Sequence, residues 1–188
     1  KAQEKGIYVI LIDNPANFAA DAFIGSDWDR LGQLEAEAAI KACGPDSSKQ
    51  LGLVQGDQVN ASSLYQYAGI MKVLEKNPEF KVVAKPDSNW DATTARNVTT
   101  TMLQQNPDIC AIIDFWDGDA TGTAAAIRDA GKEGKIALVT TGGGEKVDCD
   151  KLESGEFTAV VMTELARQSS DMNAIIKFLL QSGQPAGT

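Results

Sequence analysis

The chain contains no histidine. That removes the Ser-His-Asp triad, the Cys-His dyad and every imidazole metal site together. Carboxylate-pair, lysine and magnesium chemistry survive this exclusion. Cysteine is scarce: Cys43, Cys110 and Cys149 show no CxxC spacing, so neither a zinc site nor a thioredoxin-like redox motif is supported. Buried or idle thiols are the plainer reading of them. A Cys43–Cys110 bridge is the sharper one, because both residues fall at the same edge of the sheet described below. Aromatic residues make up only 6% of the chain. No apolar run approaches the ~18 residues that span a bilayer, so membrane insertion is not expected. Basic residues are outnumbered, 17 against 26 acidic ones, for a net charge of −9. Phosphate binding needs clustered Lys and Arg, which disfavours nucleic acid as a partner.

What is present suits a globular α/β protein. The 188 residues are 43% hydrophobic, enough for a real core in one large or two small domains. Short β-rich runs alternate with helical runs. The strands are expected at Ile7–Ile12, Ala22–Gly25, Gln50–Gln55, Phe80–Ala84, Cys110–Phe115, Lys135–Thr140 and Phe157–Thr163. Several are continuous apolar runs, the pattern of strands covered on both faces. Helices are expected at Trp28–Ala42, Ser63–Lys76, Ala92–Gln105, Asp119–Ala130, Glu145–Glu153 and Glu164–Leu180. Two of them stop before Asn77-Pro78 and Asn106-Pro107, where proline disfavours helix at the preceding residue. Alternation of this kind means βαβ units, a parallel sheet and right-handed crossovers. The chain opens with Lys1-Ala2-Gln3-Glu4-Lys5-Gly6, which reads as the tail of a helix, so a preceding segment is expected.

In open parallel sheets ligands bind beyond the carboxyl ends of the strands. That rule selects Asp13-Asn14, Gly56-Asp57-Gln58 with Asn60, Asp87, Asn89, Trp90 and Asp91, Trp116-Asp117 with Asp119, Thr141 to Gly144, and Thr163-Glu164. Trp90 and Trp116, two of only three tryptophans, fall in this set, in the polar loops SNWD and DFWDGD. A flat ring beside carboxylates and amides suits a sugar, whose C–H face it covers while polar groups take the hydroxyls. The blander account is that these rings cap the sheet edge. Asp114, Asp117 and Asp119 suit hydroxyl or cation binding, or else serve as helix N-terminal charges. Calcium would want a twelve-residue loop ending in Glu, which is missing. Gly142-Gly143-Gly144 lacks the GxxxxGK[ST] and GxGxxG frames, so a flexible turn is favoured over an anion nest.

The runs KAQEKGIYVILIDNP, FIGSDW and NPEFKVVAKPDSNWDATTARNVTTTMLQQNPDICAIIDFWDGDATGTAAAIRDAGKEGKIALVTT resemble the type I periplasmic solute-binding proteins of the ribose-binding subgroup. The likeness covers essentially the whole chain. It implies two Rossmann-like parallel-sheet lobes joined by a hinge of three crossings, the first lobe incomplete in this chain. Residues 1–26 would end the first lobe, 27–162 would form the second ligand-binding lobe, and 163–188 would return to the first. The resemblance implies ligand contacts at Asp13, Asn14, Gln66, Trp90, Trp116, Asp117, Gly142 and Thr163. Asn14 stands where the family usually has Arg, Gly142 where it has Asp, and Thr163 where it has Gln. The implied site is less charged and more aromatic than a pentose site. The implied function is the periplasmic component of an ABC importer, binding a monosaccharide or polyol and delivering it to the permease, without cofactor or catalysis. The alternative is the effector core of a lactose-repressor-like regulator. A small α/β enzyme is disfavoured by the lack of histidine, nucleophile elbow and P-loop.

Overall fold

A computed structural model describes all 188 residues, Lys1–Thr188. The chain divides into two compact units, Trp28–Thr163 and the pair of segments Lys1–Asp27 with Glu164–Thr188.

The larger unit is a five-stranded, wholly parallel sheet. Its strands are β3 (Gln50–Val54), β4 (Lys81–Ala84), β5 (Ala111–Asp114), β6 (Ala137–Gly142) and β7 (Ala159–Met162), in the order β4-β3-β5-β6-β7. The side chains alternate between two covered faces. Leu51, Leu53, Ala111, Ile113 and Val139 pack with α1 (Trp28–Cys43) and α2 (Ala61–Leu74). Val54, Ile112 and Leu138 pack with α3 (Ala92–Gln105) and α4 (Asp117–Asp129). Burial on both faces explains the unbroken apolar runs. α5 (Lys146–Ser154) sits beside β7. The strand order reverses direction between β3 and β5, which puts the topological switch point, and its ligand crevice, at the carboxyl ends of those two strands.

Local chemistry shifts several expected boundaries. α2 starts at Ala61, two residues early, because the Asn60 side chain accepts the Ser62 N–H at 3.0 Å. α4 starts at Asp117 and takes Trp116 as its N-cap, so Asp117 lies within the first turn. β6 runs on to Gly142, which pairs with Met162, so Thr141 and Gly142 are strand and not loop. Cys43 and Cys110 are joined in a disulfide, with Cα atoms 5.3 Å apart at the amino-terminal edge of the sheet. Idle thiols is therefore the wrong reading for two of the three cysteines; Cys149 is free and exposed.

The smaller unit holds a short 3-10 turn (Gln3–Lys5), β1 (Ile10–Ile12), β2 (Ala22–Ile24) and α6 (Leu165–Ser182). The two strands pair only with each other, in parallel. The expected strand Ile7–Ile12 is thus half as long, since a strand persists only where a partner offers ladder bonds. Asp21 ties the unit together, accepting from Val9 N–H (2.7 Å), Gly187 N–H (2.5 Å) and Gln3 Nε2 (3.0 Å). Of its hydrophobic side chains only Ile24 and Leu179 are buried, while Ile7, Phe18, Phe23, Phe178 and Leu180 are exposed.

Candidate functional site

Trp116, in the loop after β5, and Trp90, which comes from the loop after β4 and lies over the end of β3, meet at the switch point. Their ring centroids lie 6.4 Å apart at an interplanar angle of 69°, an edge-to-face pair. Trp90 follows β4 on a segment where Asn89 and Trp90 take φ values of 55° and 58°. Two successive left-handed residues, neither a glycine, carry strain that surrounding contacts must hold. Those contacts are visible: Ser88 N–H donates to Gln55 O and Asn89 N–H to Gly56 O, each at 2.6 Å. The Trp90 ring lies directly on Gly56, where a Cβ would sit 2.1 Å from the ring. Trp116 leans on Gly118 in the same way, at 2.5 Å, and is 44% exposed. Glycine at 56 and 118 is what lets each ring lie flat against main chain.

Acidic groups run along the same edge. Asp114 is fully buried, accepts from Thr123 Oγ1 at 2.5 Å, and is pushed well above the usual carboxylate range by burial. Asp119 is buried, bonded by the Ser88 hydroxyl, and raised by the same cause. Asp117 accepts from Gly118 N–H at 2.8 Å and lies over Gly142. Burial first, and the neighbouring Asp148 second, push its carboxyl up to about 6. Gly142 O in turn accepts from Thr163 N–H at 2.9 Å. Trp90, Trp116, Asp117, Gly142 and Thr163 therefore form one continuous run. An aromatic pair beside carboxyl groups of mixed protonation can cover an apolar ring face and bind hydroxyls as both donor and acceptor.

Asp13 and Asn14 lie in the smaller unit, after β1. Asp13, at φ 59°, accepts from Gln168 Nε2 at 2.6 Å, a contact that sequence reasoning missed.

Gln66 lies apart from this run. It is fully buried between α1 and α2, where its amide donates to Glu35 Oε2 at 2.8 Å. The helix position that resemblance assigned to ligand is here a core position. Glu35 is fully buried too, and burial pushes its carboxyl well above its ordinary value. Neither Glu35 Oε1 nor Gln66 Oε1 has a donor, and a proton on Glu35 supplies the one this pair lacks. A raised folded pKa gives stability that is full below 4.5 and is lost as pH rises through the folded value. Glu35→Gln keeps the shape and removes the titration. It should raise stability at pH 7 by about 1–3 kcal/mol, with the gain vanishing near pH 4. Urea unfolding of both proteins across that range is the check; a gain that does not vary with pH would contradict it.

Asp148 is the residue that the sequence reading passed over. It is 1% exposed and reaches Gly142 from the first turn of α5. A signal existed: an Asp three residues past Glu145 falls on the first helical turn after a strand-end loop.

The periplasmic binding protein domain family matches residues 1–185. The D-allose-binding periplasmic protein of Escherichia coli K12 is 30% identical over all of this chain, which spans 61% of that protein's length. The D-apiose import binding protein of Actinobacillus succinogenes is 28% identical over 86% of the chain and 52% of its own length. The crystal structure of an ABC transporter periplasmic solute binding protein from Actinobacillus succinogenes 130z with bound D-allose superposes on 98% of the chain. Its TM-score is 0.86 at 24% identity, and 66% of its own length is covered; this shows the fold. With the doubly wound sheet and the match over nearly its whole length, the chain belongs to the periplasmic binding protein domain family and has the type I fold.

Proposed function

We propose that this chain is the greater part of the substrate-binding component of an ABC importer, binding a monosaccharide or polyol and passing it to a permease. The observation that carries the reading is the edge-to-face pair Trp90–Trp116 at the switch point, with Asp117 beside it. In this reading Trp28–Thr163 is the second ligand-binding lobe, and the smaller unit, with Asp13 and Asn14, belongs to the first. The ligand contacts are Asp13, Asn14, Gln66, Trp90, Trp116, Asp117, Gly142 and Thr163. Relatives named for D-allose and D-apiose binding support a sugar ligand and favour import over the effector core of a regulator. The Cys43–Cys110 bridge supports an oxidising compartment such as the periplasm, since cytosolic thiols are kept reduced. Sugar binding of this kind needs no cofactor and no chemical step, and the absent histidine fits that.

Titration with D-allose, D-ribose and xylitol, followed by two-dimensional NMR, tests the proposal. The Trp90 and Trp116 indole N–H signals should move saturably with at least one of them. If none moves these signals, or if a nucleoside does so in place of every sugar and polyol, the reading fails.

A further inference from the structure

Gly142 ends β6, and the space a side chain would fill there holds two carboxyl groups instead. A Cβ at 142 would stand 2.4 Å from Asp117 Oδ2 and 2.7 Å from Asp148 Oδ2. The two acids come from different elements, the first turn of α4 and the first turn of α5. Asp148 is buried, 1% exposed, and neither of its oxygens has a hydrogen-bond donor. None of the ion pairs in the chain involves Asp117 or Asp148. Lys146, the nearest lysine along α5, is engaged by Asp150. Asp114, at the end of β5, is a further acid that feels the charge of Asp117. Two carboxylates so placed cannot both ionise cheaply, whereas one proton held between them gives each a partner.

We propose that Asp148 is a positioning residue of the ligand site, sharing one proton with Asp117 so that the pair meets a ligand hydroxyl as donor and acceptor together. The ligand part of this rests on the sugar reading; the shared proton does not. Asp117 has its carboxyl raised to about 6 by burial and by Asp148. Below that pH the pair holds its proton and offers both roles. Above it Asp117 gives up that proton and the donor is lost, so the affinity for a hydroxyl ligand should fall by up to about tenfold per pH unit.

Carboxyl-carbon NMR of the aspartates, in the chain and in Asp148→Asn, tests the shared proton without any ligand. In the unsubstituted chain Asp117 should titrate near pH 6, in a curve coupled to its neighbour. In Asp148→Asn the Asp117 midpoint should drop by about one unit or more, the amide now donating to it. A simple single-step Asp117 curve with an ordinary carboxylate midpoint in the unsubstituted chain overturns the proposal, even if the variant does not fold. An unmoved Asp117 midpoint in a folded variant overturns it too. D-allose affinity measured from pH 5 to pH 8 then tests the positioning role. The slope above pH 6 should be lost in Asp148→Asn, and the same slope in both proteins overturns that role. Coupled titration with no sugar bound at any pH strikes the sugar reading and leaves the shared proton standing.

Discussion

Reducing the Cys43–Cys110 bridge should destabilise the larger unit by about 4 kcal/mol. The bridge closes a loop with a sequence separation of 67 residues. In the chain-entropy account a loop of that size removes about 4 kcal/mol of freedom from the unfolded chain. For a unit of this size that corresponds to a fall in Tm of roughly 10 °C. The two sulfurs also connect distant parts of one core. Cys43 ends α1 and Cys110 stands just before β5, and both pack against the cluster built on Leu51, Ile113 and Val139. Thermal unfolding with and without reductant reads the effect, and the double variant Cys43→Ser/Cys110→Ser should match the reduced protein. Thiol titration of the unfolded, unreduced chain should find a single free group, that of Cys149. A Tm within 2 °C of the oxidised value would show that the bridge adds no stability.

The doubly wound sheet was legible from residues because its signal is local and repeated. Leu51–Val54, Ala111–Ile113 and Ala137–Val139 are apolar on both faces, and each is followed by a helix whose stop has a proline or glycine nearby. The tryptophans were legible for a different reason. Apolar rings set among Asp and Asn in strand-end loops contradict ordinary core patterning, and the structure puts Trp90 and Trp116 in contact. What stayed hidden depends on distances between segments far apart in the chain. Disulfide pairing is decided by a 5.3 Å Cα separation that no spacing rule predicts. Gln66 was placed at the ligand by resemblance alone; its burial against Glu35 depends on the packing of α2 on α1. Asp148 looked like one acid among several on α5. Its meaning depends on Gly142, whose missing side chain leaves room for it. The smaller unit was over-read in length, because an apolar run such as Ile7–Ile12 extends as strand only as far as its partner does, and β2 is three residues long.

Trp116→Ala should weaken sugar binding about 70-fold, the largest loss of affinity expected from any single change at the site. The ring is 44% exposed, at the carboxyl end of β5, so it has surface to give to a ligand. Losing ~100 Å² of stacked contact at ~25 cal/mol per Å² costs ~2.5 kcal/mol, which is roughly 70-fold. The fold should survive the change. Position 116 caps α4 through its backbone, with Ala120 N–H bonded to Trp116 O at 2.9 Å and no side-chain cap to lose. Trp116→Phe keeps a stacking face and should lose far less, which separates stacking from mere bulk. Trp90 loses its edge-to-face partner in the Ala variant, worth about 0.5–1.5 kcal/mol in the unliganded protein. That term lowers stability rather than affinity, so melting and binding must be measured on the same sample. D-allose affinity by calorimetry or NMR titration decides the matter. An affinity unchanged by Trp116→Ala, in a protein that still binds the sugar, would move the ligand away from β5 and remove the aromatic pair from the site.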